Sequence, residues 1–309
     1  MAAISAALVR ELRDKTGAGM MDCKAALAET GGDVEAATDW LRKKGVAAAA
    51  KKSGRATSEG LIGVVVDGGV GAVVEVNSET DFVSRNETFQ ELVRAIAAVA
   101  PQAGGDVEAL RALTLPTTGR SVADSITDAV AVIGENLTLR RTGVLAIEPG
   151  LVVSYVHGAV AANLGRIGVL VALRSEADPA RLMETGRQLA MHVAAAQPQA
   201  VTAADLPADA VERERSIYAE QATASGKPPN IVEKMVEGRM RKFYEEAVLM
   251  EQAFVVDPER KVKDVVAALA SDVGAPVTVA GFLRFALGEG IDKPVPDLAS
   301  EVASTLAGR

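Results

Sequence analysis

The side chains that could carry chemistry are few. The chain has one cysteine, Cys23, and two histidines, His157 and His192, far apart in sequence. A structural or catalytic zinc ion needs three or four such ligands brought together, so this set predicts no metal site. No glycine-rich phosphate loop ending in Lys-Ser or Lys-Thr is present, and the glycines at 68, 69 and 71 sit in a turn rather than ahead of a helix. No serine lies in a nucleophile elbow. His157 follows Tyr155-Val156 at a strand end and reads as a satisfied turn residue. His192 lies in an alanine-rich run and reads as a packing residue between subdomains. Cys23 on a helix reads as a small buried hydrophobe. Glu79 and Asp81 are close together, but helix capping accounts for acidic residues there without catalysis. The residues therefore predict no catalytic centre and no bound cofactor.

What remains is an aromatic ring. Phe82 stands in Asn77-Ser78-Glu79-Thr80-Asp81-Phe82-Val83-Ser84-Arg85-Asn86, among mostly polar neighbours. The alternating run "GAVVEVN" precedes this stretch and predicts a strand; "ETFQELVRAIAAVA" follows it and predicts a helix to about Ala100. A ring at that corner has two readings. It packs back onto its own helix as a hydrophobic staple, or it is presented to another molecule. The pattern recurs later: Ser175-Glu176-Ala177-Asp178 occupies the place of Ser78-Glu79-Thr80-Asp81, again between strand-like and helical runs, with Pro179 where Phe82 stands. A duplicated unit is expected, one that needs the acidic corner but not the ring.

The elements around these two corners follow from periodicity and punctuation. Residues 1–45 read as three short helices, broken at "TGAG" and at Gly31-Gly32, with Asp33 capping the third and Gly45 just past its end. Residues 60–76 read as a hairpin turning at Asp67-Gly68-Gly69. Further helix is expected over 121–134, and two strand-like runs joined by a longer turn over 151–173. Residues 205–247 read as an antiparallel helical hairpin, with Gly226 ending one helix, Pro228-Pro229 enforcing the stop and Asn230 capping the next. Its narrow apolar stripe predicts that it protrudes. A helix near 261–270, a strand from Pro276 and a last helix over "VPDLASEVASTL" complete an α+β chain.

Composition bounds the classes of function. The chain has 309 residues, 49% of them hydrophobic and only 3% aromatic, and a net charge of -8 with a pI of about 5.1. The acidic balance opposes general nucleic-acid binding, which rewards basic surfaces. A single cysteine excludes an internal disulfide framework and fits a reducing compartment. No run approaches the roughly 18 apolar residues of a membrane span, and the first residues lack the pattern of a secretory signal. A cytoplasmic protein with no membrane or direct nucleic-acid partner is expected.

Several stretches, in order along nearly the whole chain, resemble the bacterial elongation factor Ts family, the guanine-nucleotide exchange factors for elongation factor Tu. They are "LVRELRDKTGAGMMDCKAAL" from residue 8, "NSETDFVSRN" (77–86), "IGENLTLRR" (133–141), "SYVHG" (154–158), "GRIGVLVA" (165–172), "AMHVAA" (190–195), "EKMVEGRM" (233–240) and "GFLRFALGEGI" (281–291). The turn "AVAANL" (159–164) is longer than the family's usual connection. The resemblance implies a ubiquitin-associated-like three-helix domain over 1–52 and a core of two related antiparallel-sheet-plus-helix subdomains, 59–148 and 149–200 with 248–291. It also implies a coiled-coil dimerisation module over 201–247, which makes a homodimer a candidate assembly, and a C-terminal helical module over 292–309. It implies binding to elongation factor Tu-GDP and promotion of GDP release so that GTP can rebind, without enzymatic chemistry. Carried onto this sequence, the family's partner-contact positions are Thr80, Asp81, Phe82 and Val83, then Arg13, Met20 and Met21, and further Ile133, Gly134 and His157. Magnesium and GDP belong to the partner.

Overall fold

A computed structural model describes residues 4–291; the expected C-terminal module at 292–309 lies outside the described residues. Three helices come first: α1 (Ala6–Thr16), α2 (Met20–Glu29) and α3 (Val34–Lys52). Ser5 caps α1 and Asp33 caps α3, each side chain accepting from backbone N–H groups of the first turn. They enclose a small core of Val9, Leu12, Cys23, Ala26, Leu27 and Ala37. Cys23 is fully buried there.

The rest is built on two antiparallel sheets. Strands β1 (Glu59–Asp67) and β2 (Val70–Ser78) form a hairpin with Asp67 opposite Val70, so Gly68-Gly69 is the whole turn. A 3₁₀ turn (Asp81–Arg85) leads to α4 (Glu87–Val99). Then follow α5 (Val107–Ala112), the short pair β3 (Thr114–Leu115) and β4 (Arg120–Ser121), α6 (Val122–Ile133) and β5 (Leu137–Ala146). The second half runs β6 (Gly150–His157), β7 (Leu164–Gly165), β8 (Ile167–Arg174), α7 (Pro179–Ala196), α8 (Ala208–Thr223), α9 (Pro229–Ala247), β9 (Ala253–Phe254), β10 (Asp257–Lys261), α10 (Val262–Val273) and β11 (Thr278–Ala286). The larger sheets are ordered β5-β2-β1-β7 and β11-β8-β6. Leaving β7 aside, each half runs two strands, a helix, an inserted helical segment, a short strand pair, a helix and a final strand that pairs with the second.

Alternation along the strands gives four layers. One face of the first sheet offers Leu61, Ala72, Val74 and Val76 to Phe89, Val93 and Ile96 of α4 and to Val122 and Ile126 of α6. The matching face of the second sheet packs Leu151, Val153, Val169, Val171 and Leu173 against α7 and α10. The remaining faces meet each other through Ile62, Val64, Val73, Val152, Leu170 and Ala172. Turn 158–163 carries the chain across this joint: Leu164-Gly165 pairs with Ile62-Gly63 on the edge of the first sheet. The longer "AVAANL" segment thus ties one half to the other.

A buried carboxylate fastens the end of β11 to the first sheet. Glu75 on β2 is fully buried. It accepts from Arg140 at 3.0 and 3.1 Å, Arg141 at 2.5 Å, Asn77 at 3.1 Å and the backbone N–H of Gly288 at 2.8 Å. Burial alone would raise its pKa, but the Gly288 N–H and the Arg141 and Asn77 bonds outweigh it and hold the carboxyl below the ordinary range. Arg141 also lies over the Phe285 ring, 4.2 Å from its centroid.

Three expectations are corrected. Gly45 does not end the third helix, because α3 continues to Lys52. Gly45 is buried where α3 crosses α6, and a Cβ there would stand 2.9 Å from that of Ala131; it permits close helix packing rather than a stop. Asn230 does not cap α9, which starts one residue earlier with Pro229 in its first turn. His192 is buried but does not lie between the two halves. It sits within the second half, its Nδ1 accepting from Val255 N–H at 3.2 Å and its Nε2 donating to Gln252 Oε1 at 2.8 Å. Gln252 in turn donates to the carbonyls of Ala196 and Glu246, so His192 braces the root of the α8–α9 hairpin.

Two predictions follow from this frame. The α8–α9 seam is a narrow line of Ala222, Val236 and Met240 with Val211, Tyr218 and Phe243 beside it. At its root Ala200 and Val248 are bridged, and Leu249 N–H donates to Ala200 O. Replacing 208–243 by a short glycine-serine linker is expected to leave one cooperative unfolding transition, read by calorimetry; loss of cooperativity would make the hairpin integral to the core. The second concerns pH. Burial lowers the His192 pKa, only partly offset by the Gln252 bond, whereas the unfolded chain takes up that proton near pH 6.5. The stability it contributes is complete above about pH 6.5 and is lost as pH falls below that value toward the depressed folded pKa. His192→Gln is expected to flatten the slope of unfolding free energy against pH below about pH 6.5, measured by urea titration; an unchanged slope would remove His192 as its source.

Candidate partner-binding face

The corner at residues 78–86 is built from the end of β2. Ser78 is the last strand residue, and its hydroxyl donates to Thr80 O at 2.9 Å. The chain then makes its 3₁₀ turn, closed by Ser84 Oγ donating to Asp81 O at 2.6 Å. Asn86 accepts from Phe89 N–H at 3.1 Å and caps α4. Val83 is 5% exposed and joins the core beneath, while Phe82 beside it is 78% exposed. Phe82 is therefore not stapled onto its helix: Val83 goes in and the ring goes out.

This corrects two expectations at the corner. Val83 is an anchor rather than a surface contact, because it is buried in the cluster formed with α4 and α6. Asp81 caps nothing. Asn86, five residues on, holds the helix start, and the Asp81 carboxylate accepts no hydrogen bond among the described residues. The repeated corner differs for the same reason. There Asp178 does cap, accepting from Ala180 N–H at 2.9 Å, and Pro179 is the first residue of α7. Phe82 and Pro179 thus align in sequence but occupy different structural slots; the extra 3₁₀ turn in the first unit lifts the ring out.

The loop after α6 meets this corner. Gly134 closes α6 in the left-handed conformation at φ 88°, a region glycine enters without steric cost. Glu135 then accepts from both Thr80 N–H at 2.9 Å and Thr80 Oγ1 at 2.6 Å. Glu79 answers from the other side, accepting from Asn136 N–H at 2.6 Å. Two glutamates therefore exchange bonds across the joint, each satisfying a backbone donor of the opposing segment. Asn136, itself buried, donates to Arg55 O at 2.9 Å and Ser53 O at 3.4 Å. Arg55 pairs with Glu79 at 3.3 Å, and Lys52 Nζ donates to Gly134 O at 2.6 Å.

The other nominated residues fall around this joint. Ile133 is partly buried against the core and Gly134 is exposed. Gly17, in the α1–α2 turn, lies against Val132, whose side chain a Cβ would meet at 3.8 Å. From that turn Met20 and Met21 are 60% and 76% exposed. Arg13 is exposed on α1, and its carbonyl accepts from Gly17 N–H. His157 stands at the end of β6, exposed, with Tyr155 Oη 3.3 Å from its Nδ1. Its carbonyl accepts from Arg166, which pairs with Glu59, the β1 residue opposite Ser78. It belongs to the same end of the first sheet, on the β7 side. Glu135 and Asn136 were not singled out from sequence, although both lie within "IGENLTLRR". Among the described residues no group of His, Cys, Asp or Glu could hold a metal ion, and no helix is long and apolar enough to cross a membrane.

A family model described as elongation factor TS matches residues 79–289. The chain belongs to the elongation factor Ts family. It is 60% identical over 304 residues to elongation factor Ts of Rhodospirillum centenum, covering 98% of this chain and 99% of that one. It is 59% identical over 307 residues to that of Rhodospirillum rubrum, covering 99% of each, and 57% identical over 308 residues to that of Rhizobium etli, covering 100% of each. It is accordingly a translation elongation factor, a protein of protein biosynthesis.

The burial at the corner sets the expected stabilities. Phe82→Ala is expected to change unfolding free energy by less than about 1 kcal/mol, against the roughly 3–5 kcal/mol of a core phenylalanine. Val83→Ala is expected to cost about 2 kcal/mol from lost burial. Urea titration of the two variants checks both, and a larger loss for Phe82→Ala would return the ring to the core.

Proposed function

We propose that the chain binds elongation factor Tu in its GDP form and promotes GDP release, with Phe82 as its principal inserting side chain. The observation that carries this reading is an aromatic ring 78% exposed on a junction whose neighbours are a buried valine and a hydrogen-bonded threonine. A ring so placed adds nothing to the fold and is held ready for a pocket in another protein. Asp81 beside it keeps its carboxylate free for the same partner. Met20 and Met21 supply a second apolar contact from the helices of residues 1–52, with Arg13 behind them. Gly134 and His157 flank the corner on the two sides of the sheet end. No step in this reading is enzymatic or uses a cofactor of this chain; the nucleotide and its magnesium ion stay with the partner. The hairpin of residues 201–247 is the candidate association module.

Energy argues for the whole face rather than the ring alone. A nucleotide bound at nanomolar affinity, with an association rate of about 10⁶ M⁻¹s⁻¹, leaves at about 10⁻³ s⁻¹. Speeding that about a thousandfold requires on the order of 4 kcal/mol of coupling between the two binding sites. One phenylalanine entering a pocket supplies roughly 1.5–3 kcal/mol. The remainder falls to the flanking contacts.

The test is release of labelled GDP from purified elongation factor Tu, with and without this protein. Phe82→Ala is expected to slow stimulated release by about tenfold to a hundredfold, equivalent to about 1.4–2.8 kcal/mol of coupling. It should weaken binding to nucleotide-free partner more than binding to the GDP form, since only a differential contact drives exchange. Asp81→Asn is expected to keep part of the activity. No stimulation by the intact chain, or full stimulation by Phe82→Ala, would sink the reading.

A further inference from the structure

The proposed face draws on two parts of the chain that fold around separate cores: the α1–α2 turn with Met20 and Met21, and the Phe82 corner. Something must hold them in one register. On one side the helices and the core barely meet. A cleft of about 490 Å³ lies between them, walled by Lys15, Arg42 and Lys44 from the helices and by Arg120 and Asp128 from the core. The close packing contacts gather along α6, where Gly45 of α3 lies against Ala131, Gly17 of the α1–α2 turn against Val132, and Ala49 against the core cluster; one line of small-residue helix packing of this kind acts as a pivot. The opposite side is closed by hydrogen bonds. Glu135 holds Thr80, Glu79 holds Asn136 and Arg55, and Asn136 holds the carbonyls of Ser53 and Arg55 just past the end of α3. The circuit runs from corner to loop to linker and back to corner.

We infer that Glu135 and Asn136 are positioning residues, which lock the three N-terminal helices and the Phe82 corner into one rigid partner-binding surface. The inference rests on the exchange reading above. The two residues are adjacent but act in different directions. Glu135 fixes the backbone from which the ring projects. Asn136, through its buried amide, fixes the linker from which the N-terminal helices depart. Without Asn136 the helices swing about the α3–α6 crossing, and their contact becomes a tethered second site whose ordering must be completed during binding. Without Glu135 the corner itself loosens, and its ring reaches the partner's pocket less well oriented.

The experiment has a structural and a functional arm. Spin labels at Lys24→Cys and Arg85→Cys, in a Cys23→Ala background, report the distance between the helices and the corner in the full chain. Asn136→Ala is expected to broaden that distribution in the folded protein. In stimulated GDP release, Asn136→Ala is expected to raise the half-saturating concentration about tenfold, while the rate at saturation changes by less than about twofold. Glu135→Ala is expected to lower the saturating rate as well, and Glu135→Gln, which keeps one acceptor for Thr80, to restore part of it. A distance distribution as narrow as that of the parent protein, or a broadened one with unaltered half-saturation, overturns the inference. If Asn136→Ala does not fold, Glu135→Ala, at a partly exposed position, carries both measurements by the same criteria. Phe82→Ala run in parallel separates the two claims. Impaired Phe82→Ala with inert Glu135 and Asn136 variants removes only the positioning roles, whereas inert variants at all three positions remove the exchange reading itself.

Discussion

The reciprocal pair of glutamates at the end of the first sheet is the interaction on which the exposed corner depends. A strand that ends in a sharp turn leaves backbone N–H groups without ladder partners, and leaving one unsatisfied costs about 1–3 kcal/mol. Thr80 is such a donor past the end of β2, Asn136 is the equivalent between the end of α6 and the start of β5, and each is satisfied by a carboxylate from the segment opposite. Charged acceptors make the stronger bonds, so the joint can bury Ser78 and Asn136 with their hydrogen bonds made. Val83 anchors the turn in the first core cluster and the hydrogen bonds hold the strand end and the loop beside it, while Phe82 stays exposed.

Glu75 addresses a related problem elsewhere on the same strand. The two sheets meet face to face through small and branched apolar side chains, and a carboxylate on that face would be costly alone. It is matched by Arg140, Arg141, Asn77 and a backbone N–H from the segment after β11. Breaking such a network by removing one partner leaves an uncompensated buried charge, so the segment over 286–289 is fixed to the first sheet more firmly than its exposure suggests. Two carboxylate-centred joints thus lie along and just past β2, Glu75 under the end of β11 and Glu79 with Glu135 at the Phe82 corner.

Much of the fold is legible in the sequence where a local signal has one physical meaning. Asp67-Gly68-Gly69 gives a two-residue hairpin turn, and Asp33 ahead of an apolar stripe gives a capped helix. Signals with two meanings are where reading fails. A glycine near a helix end marks either a left-handed stop or a close helix crossing; Gly134 is the first and Gly45 the second, and only tertiary packing tells them apart. Asp81 and Asn86 are both capping residue types ahead of the helix, and the 3₁₀ turn Asp81–Arg85 leaves Asn86 at the helix start. Strand β7 has two residues, too few for any periodicity. At the site, Phe82, Met20 and Met21 stand out because apolar side chains in polar or terminal positions are conspicuous. Glu135 and Asn136 do not stand out, since a glutamate and an asparagine after a helix are ordinary surface residues until their partners, 55 and 81 positions away, are in place.

The two constraints, exposure and rigidity, bear on the same energy. A ring on a mobile loop gains burial when it enters a pocket but loses conformational freedom of about 0.5–1.5 kcal/mol for each side chain ordered, and more for the backbone. That loss would consume much of the 1.5–3 kcal/mol the ring can supply. With the corner already ordered by Glu79 and Glu135, the proposed insertion of Phe82 would keep most of that burial. In the proposed function the same argument applies to Met20 and Met21 on α2, whose contacts would add to that of Phe82 only if the helices carrying them are held at a fixed distance from the corner. The face proposed above, assembled from two parts with separate cores, would therefore depend on its joint more than on any one of its contacts.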